Sequence, residues 1–145
     1  MNIIIITEKL LLDLHGFSGI ALNKDYAGTA FRLSGKVWDT VKSRKLKNAG
    51  LNIWVYEDNE KVFAGVQLNE LPVPADLLEE KKISLKKYAY YKHIGPYQLI
   101  KQSGLEMISE LKNRNLAITQ PYIEIYGHWN SDESKQETEL IMNLE

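Results

Sequence analysis

One glutamate, Glu124, stands inside the otherwise apolar and aromatic run Pro-Tyr-Ile-Glu-Ile-Tyr-Gly-His-Trp (121–129). Strand alternation places Tyr122, Glu124, Tyr126 and His128 on one face and Ile123, Ile125 and Trp129 on the other. The aliphatic face reads as core. The opposite face, three ring side chains around an acid, suits an aromatic pocket with a buried negative charge better than a solvated sheet surface. A carboxylate removed from water costs several kcal/mol, on the order of the desolvation penalty of any buried ion, unless it is paired or neutralised. A cation over an aromatic face gains roughly 0.5 to 2 kcal/mol. Such a pocket therefore suits flat, lipophilic, positively charged molecules.

Other chemistries find less support in the residue pattern. His15, His93 and His128 fall in no metal-ligand spacing, so no metal site is expected. The glycine pairs Gly16/Gly19 and Gly95/Gly104 do not have the spacing of a phosphate loop or dinucleotide fingerprint, and there is no nucleophile elbow; no cofactor is expected. Ser103 and Ser109 read as helix positions. The chain has no cysteine, which excludes disulfides and thiolate chemistry and fits a reducing cytoplasm, the expected location. A formal net charge of −1 with scattered basic residues carries no nucleic-acid footprint. The apolar run Ile3 to Ile6 is too short for a signal peptide or a membrane span.

The elements that must position Glu124 follow from periodicity. The 145 residues, 44% of them hydrophobic, suffice for one sizeable core, and a single unit over 1–145 is expected. Residues 1–23 read as extended, with Gly16 and Gly19 expected at a bulge or bend. From Ala27 to Lys47 the period becomes helical, with Ala30, Ser34, Val37, Trp38 and Val41 on one face, and Asn48 and Gly50 end it. Leu51 to Tyr56 and Val62 to Leu68 read as a hairpin. A connector with Pro72 and Pro74 runs from Asn69 to Lys82. Ile83 to Ile94 is again extended, Gly95-Pro96 turns the chain into a helix, and Tyr97 to Asn115 carries Tyr97, Ile100, Gly104, Met107, Ile108 and Leu111 on one face. Pro121 begins the next strand, and Thr138, Leu140, Met142 and Leu144 alternate in the last.

The second half repeats the order of the first. An offset of 70 carries Ala27, Ala30, Ser34, Val37, Trp38 and Val41 onto the apolar positions of the second helix, and Ile53-Trp54-Val55-Tyr56 onto Ile123-Glu124-Ile125-Tyr126. The pattern predicts an α+β fold of duplicated β-α-β-β units, about 8–69 and 83–145, related by a pseudo-twofold. Each unit sets one helix on an antiparallel sheet, with a central ligand cleft between the units. Trp54 and Tyr56 then face the cavity with Tyr122, Glu124 and Tyr126. From the neighbouring strand either Tyr91 and His93 or Tyr88 and Tyr90 line it, according to register.

The strand ending in His-Ile-Gly-Pro-Tyr (93–97), the helix after it, Pro-Tyr-Ile-Glu-Ile-Tyr (121–126) and a closing strand resemble the GyrI-like small-molecule-binding domain, also called the AraC-type or bacterial transcription-activator effector-binding domain. The similarity runs through essentially the whole chain. It departs from the family pattern in an isoleucine-rich start and in Met142-Asn143-Leu144, where a proline is frequent. The resemblance implies a duplicated α+β fold that binds hydrophobic, often cationic compounds in an aromatic cleft with an acidic residue, matched here by Glu124. Because that resemblance takes up essentially all 145 residues, a free-standing member with no direct DNA contact is expected. The leading expectation is a protein that senses or sequesters lipophilic aromatic cations, with Trp54, Tyr56, Tyr91, Tyr122, Glu124 and Tyr126 as ligand-binding residues. Two alternatives remain open: a hydrolase of cyclopropane-bearing or similarly strained electrophiles with Glu124 as its catalytic residue, and a protein that restrains DNA gyrase or pairs with a separate regulator.

Overall fold

Leu12 and Leu14 point inward while Leu11 and Asp13 face solvent, and this alternation builds the longest strand of the computed structural model, which describes residues 1–145. In chain order the elements are β1 (Ile4–Ile6), β2 (Leu10–Ile20), α1 (Tyr26–Ser43), β3 (Asn52–Tyr56), β4 (Lys61–Val66), β5 (Glu79–Leu85), β6 (Tyr88–Ile94), α2 (Ile100–Asn113), β7 (Ile118–Tyr126) and β8 (Glu137–Leu144). The eight strands form one antiparallel sheet in the order β1-β6-β8-β7-β3-β4-β2-β5. The architecture is thus α+β, and the two sequence halves meet at the central β3–β7 pair and again at the ends of the sheet, where β1 pairs with β6 and β5 with β2.

That sheet cannot be flat. β1 and β2 lie six places apart in the order, as do β6 and β5, so a flat sheet would separate each pair by about 29 Å at ~4.8 Å per strand. Yet Thr7 to Lys9 alone join β1 to β2, and Lys86-Lys87 join β5 to β6; such links reach only about 10 to 14 Å at ~3.5 Å per residue. The two ends therefore curl toward each other. The space they enclose is filled by Leu12 and Leu14 of β2, Ile83 and Leu85 of β5, Tyr88 of β6 and Ile123 of β7, with their neighbours.

Both helices pack on the other face. α1 seats Ala30 and Leu33 against Val62 and Ala64, and Val37 and Val41 against Val66. Its start is capped by Asp25, whose carboxylate accepts from the Gly28 amide at 3.1 Å. α2 seats Ile100, Met107 and Leu111 against Ala89, Leu140, Met142 and Leu144. Before it, Gly95 takes φ +139°, a conformation closed to side-chain-bearing residues, and a short 3-10 turn (Tyr97–Leu99) leads into the helix.

Several sequence expectations shift. The extended run 83–94 is two strands at opposite ends of the sheet, because the chain turns at Lys86-Lys87; residues 1–23 split in the same way into β1 and β2. Gly16 marks no bulge, since β2 pairs without a break in register and bridges β4 and β5. A Cβ on Gly16 would lie 1.9 Å from the Ala64 carbonyl oxygen, so close strand approach explains this glycine. β7 starts at Ile118, ahead of Pro121, and ends at Tyr126. There the Gly127 amide donates to the Glu137 carbonyl, and the chain leaves the strand for the loop to β8. His128 and Trp129 lie beyond the strand, and Trp129 is 76% exposed instead of in the core.

Candidate functional site

β3 and β7 pair in the register Trp54↔Glu124 and Tyr56↔Tyr122, which puts their aromatic residues and the acid side by side on the helix face. Glu124 is only 7% exposed. Its Oε1 accepts from the hydroxyls of Tyr126 at 2.8 Å and Tyr56 at 3.2 Å, and its Oε2 from Tyr122 at 2.8 Å. No lysine, arginine or histidine forms an ion pair with it. The charge is solvated by three phenols and balanced by none of its neighbours. Burial first, then the charge of Glu124 and the hydrogen bond to it, hold the hydroxyls of Tyr56, Tyr122 and Tyr126 far above the ordinary tyrosine range. These phenols stay protonated and keep donating.

The rings form two contact groups that meet at Glu124. Tyr56 stacks on Tyr122 with centroids 5.7 Å apart, Tyr26 meets Tyr56 edge-on at 6.0 Å, and Tyr97 meets Tyr126 edge-on at 5.6 Å. Above this floor a cleft of about 680 Å³ opens between the first turn of α1 and the length of α2. Its size falls within the range of small-molecule sites, roughly 300 to 1,000 Å³. Ile100, Gly104 and Ile108 supply an apolar flank, and Gly104 leaves room beside the Tyr122 hydroxyl, 3.8 Å from where a Cβ would stand. At the mouth Asp25, Glu57 and Asp58 face Lys24 and Lys101. Glu57 is ion-paired with Lys81 at 2.6 Å, so Asp25, Asp58 and Glu124 stand against Lys24 and Lys101, a slight excess of negative charge that favours entry of cations.

Of the six residues expected at the ligand, Tyr56, Tyr122, Glu124 and Tyr126 come together on the cleft floor. Trp54 sits one layer back: its ring backs Tyr126 at 4.6 Å between centroids and packs toward the α1 cluster, and its Nε1–H is buried without an acceptor. Tyr91 is on the helix face of β6 but packs into the α2 cluster, away from the cleft lining, whereas Tyr88 and Tyr90 turn to the enclosed core. His93 also lies on the helix face, where Nε2 lies 3.0 Å from the Pro96 carbonyl and Nδ1 2.9 Å from Ser103 Oγ. Since a carbonyl only accepts, Nε2 donates to it, and Nδ1 is hydrogen-bonded with the Ser103 hydroxyl. This pins the Gly95-Pro96 turn to α2. Tyr26 and the α2 flank went unforeseen as cleft residues. Tyr97 carried a signal in its place on the apolar face of its helix, while Tyr26 precedes the helical pattern and carried none.

The fold is that of a small antiparallel α+β domain with an aromatic, acid-floored cleft between its two helices. Among solved structures the chain is similar to the EcmrR C-terminal domain, with 16% identity, a TM-score of 0.77 and coverage of 100% of this chain and 99% of that one. It is also similar to SAV2435 bound to tetraphenylphosphonium, at 20% identity and TM-score 0.66 over 100% and 94% of the two chains. A hydrolase from Listeria innocua shares 10% identity and a TM-score of 0.54 over 96% and 92%. No family model and no curated protein sequence matches. At these identities the likeness is one of fold, the antiparallel α+β arrangement that the GyrI-like resemblance implies. No helix of the chain is long and apolar enough to cross a membrane.

Proposed function

We propose that the protein binds lipophilic aromatic cations in the cleft between α1 and α2, for sensing or sequestration. One observation carries the reading: Glu124 is buried, hydrogen-bonded by three tyrosines and left without a counter-charge. Such a site gains most from an occupant that brings a positive charge on an apolar body, because the ligand supplies the missing countercharge and the rings of Tyr56, Tyr122 and Tyr126 supply attractive faces. The tetraphenylphosphonium held by SAV2435 is a molecule of this kind. In this reading Trp54 acts through Tyr126, which it backs, and Tyr91 through the seating of α2.

The hydrolytic alternative is less well supported. A carboxylate offers about four lone-pair positions, and phenols fill three of them, which leaves little room to accept a proton from water. The offset of 70 residues, together with a register in which Trp54 faces its own counterpart Glu124, supports a single unit made of two related halves, 8–69 and 83–145. Calorimetric titration with tetraphenylphosphonium tests the function. Saturable binding that Glu124→Gln weakens supports it, and absence of binding by the folded protein counts against it.

A further inference from the structure

Away from the cleft, three potential metal ligands meet where β2 pairs with the edge strand β5. Asp13 and His15 project from the same face of β2, and Glu80 is the register partner of His15. One ligand atom from each lies within 4.8 Å of the other two. His15 is 6% exposed, and its Nδ1 has no hydrogen-bond partner. Its Nε2 stands 3.7 Å from Glu80 Oε2, too far for a hydrogen bond. The ring is therefore fixed by packing, while Nε2 is directed at the carboxylate. This is unusual within the chain: His93 has both nitrogens engaged, and the only other buried side-chain polar atoms without a partner are Trp54 Nε1 and Thr138 Oγ1.

We propose that Asp13, His15 and Glu80 form a three-ligand site for a borderline divalent transition-metal ion such as Zn²⁺, with water completing the coordination on the solvent side. Imidazole nitrogen selects this class over Mg²⁺ and Ca²⁺, which take oxygen. The geometry suits it. Donor atoms around such an ion sit about 2.0 to 2.2 Å from the metal, and Asp13 and Glu80 are exposed carboxylates able to close in by rotamer changes around the fixed imidazole. Lys82, the register partner of Asp13, opposes the site; it is exposed and can turn its ammonium to water. A bound ion would clip β5, which pairs with β2 alone, to the body of the sheet. The spacing of histidines along the chain could not show this grouping, because Glu80 is brought in by strand pairing.

The test uses the full chain in metal-free buffer. Co²⁺ is titrated and its visible absorption recorded, and Zn²⁺ is titrated in competition with a chromophoric chelator. The expected result is one ion per chain, with affinity at least about tenfold weaker in each of Asp13→Asn, Glu80→Gln and His15→Gln, and a thermal midpoint raised by Zn²⁺ in the parent protein but not in the variants. Asp13→Asn and Glu80→Gln alter exposed side chains, so they keep the proposal falsifiable even where His15→Gln fails to fold. No stoichiometric binding overturns it. So does binding that survives both carboxylate replacements, which would mark an adventitious contact to a lone histidine. Tetraphenylphosphonium binding should be the same in all three variants, so this outcome is independent of the cleft.

Discussion

Glu124→Gln isolates the charge at the cleft floor. The substitution removes the negative charge and keeps side-chain length and one carbonyl oxygen, which can accept from two of the three phenols while the amide NH2 must donate to the third. The carboxylate is nearly inaccessible and has no cationic partner, so the charge of an occupant meets it directly. For a cationic centre taken to sit about 6 Å from the carboxylate, an effective dielectric of ~20 gives an attraction of about 3 kcal/mol. This corresponds to roughly a hundredfold in Kd. Tetraphenylphosphonium and tetraphenylborate match in size and shape and differ in sign, so their ratio separates charge from cavity shape. By calorimetry the parent protein should prefer the phosphonium by about a hundredfold or more. The variant should lose about a hundredfold toward the phosphonium and lose nothing toward the borate. Equal loss toward both ions would place the role of Glu124 in cavity shape, and no loss toward either would refute the electrostatic argument. The unliganded variant should melt within a few degrees of the parent, because relief of a desolvated charge offsets three weakened hydrogen bonds, each worth about 1.5 to 3 kcal/mol when one partner is charged.

Other substitutions probe the frame. Gly104→Leu should separate stability from binding: replacing a helical glycine favours the helix by roughly 0.5 to 1 kcal/mol, while the new side chain enters the cleft beside Tyr122. A thermal midpoint held or raised, with phosphonium affinity down at least about tenfold, is the expected pair of results by melting and calorimetry. Gly16→Ala should be among the most damaging changes in the chain, since its methyl would meet the Ala64 carbonyl at 1.9 Å. Loss of more than about 3 kcal/mol in urea unfolding is expected, and a mild effect would show that β2 and β4 can part locally. Alkaline pH gives a third check. Tyr56, Tyr122 and Tyr126 have values raised above the ordinary 10.0, so the unfolded chain releases these protons first. Their contribution is complete below pH ~10 and is lost as pH rises beyond it, and stability should fall there. Ultraviolet difference spectra should show these three phenols titrating only on unfolding; titration with the exposed tyrosines would contradict the buried cage.

Much of the fold was legible because it is local. Helical periodicity located α1 and α2 to within a few residues, and alternation found β3, β4 and β8. The offset of 70 makes Trp54 and Glu124 equivalent positions, and the two are register partners across β3 and β7. What the sequence hid was long-range. Tyr88, Tyr90 and Tyr91 look equivalent in one tyrosine-rich run, and only the pairing of β6 with β8 sends two of them inward and one under α2. The turn at Lys86-Lys87 left no glycine or proline to mark it. Trp54 read as a cavity wall because its strand face was right, but the depth of a residue beneath its neighbours is set by α1 packing, which alternation does not encode.

The placement of the acid follows from the same architecture. A buried carboxylate needs donors that cannot drift away, and Tyr122 and Tyr126 flank Glu124 two residues to either side on one rigid strand, while Tyr56 comes from the strand paired beside it. That pair is the centre of the sheet and has no free edge, so the donors keep their places whether or not the cleft is filled. Three neutral phenols can hydrogen-bond a negative charge but cannot cancel it. An arginine in their place would form a finished ion pair and leave nothing for a cationic guest to gain. In the proposed function, the tyrosines stabilise the empty protein without removing the field that draws the ligand.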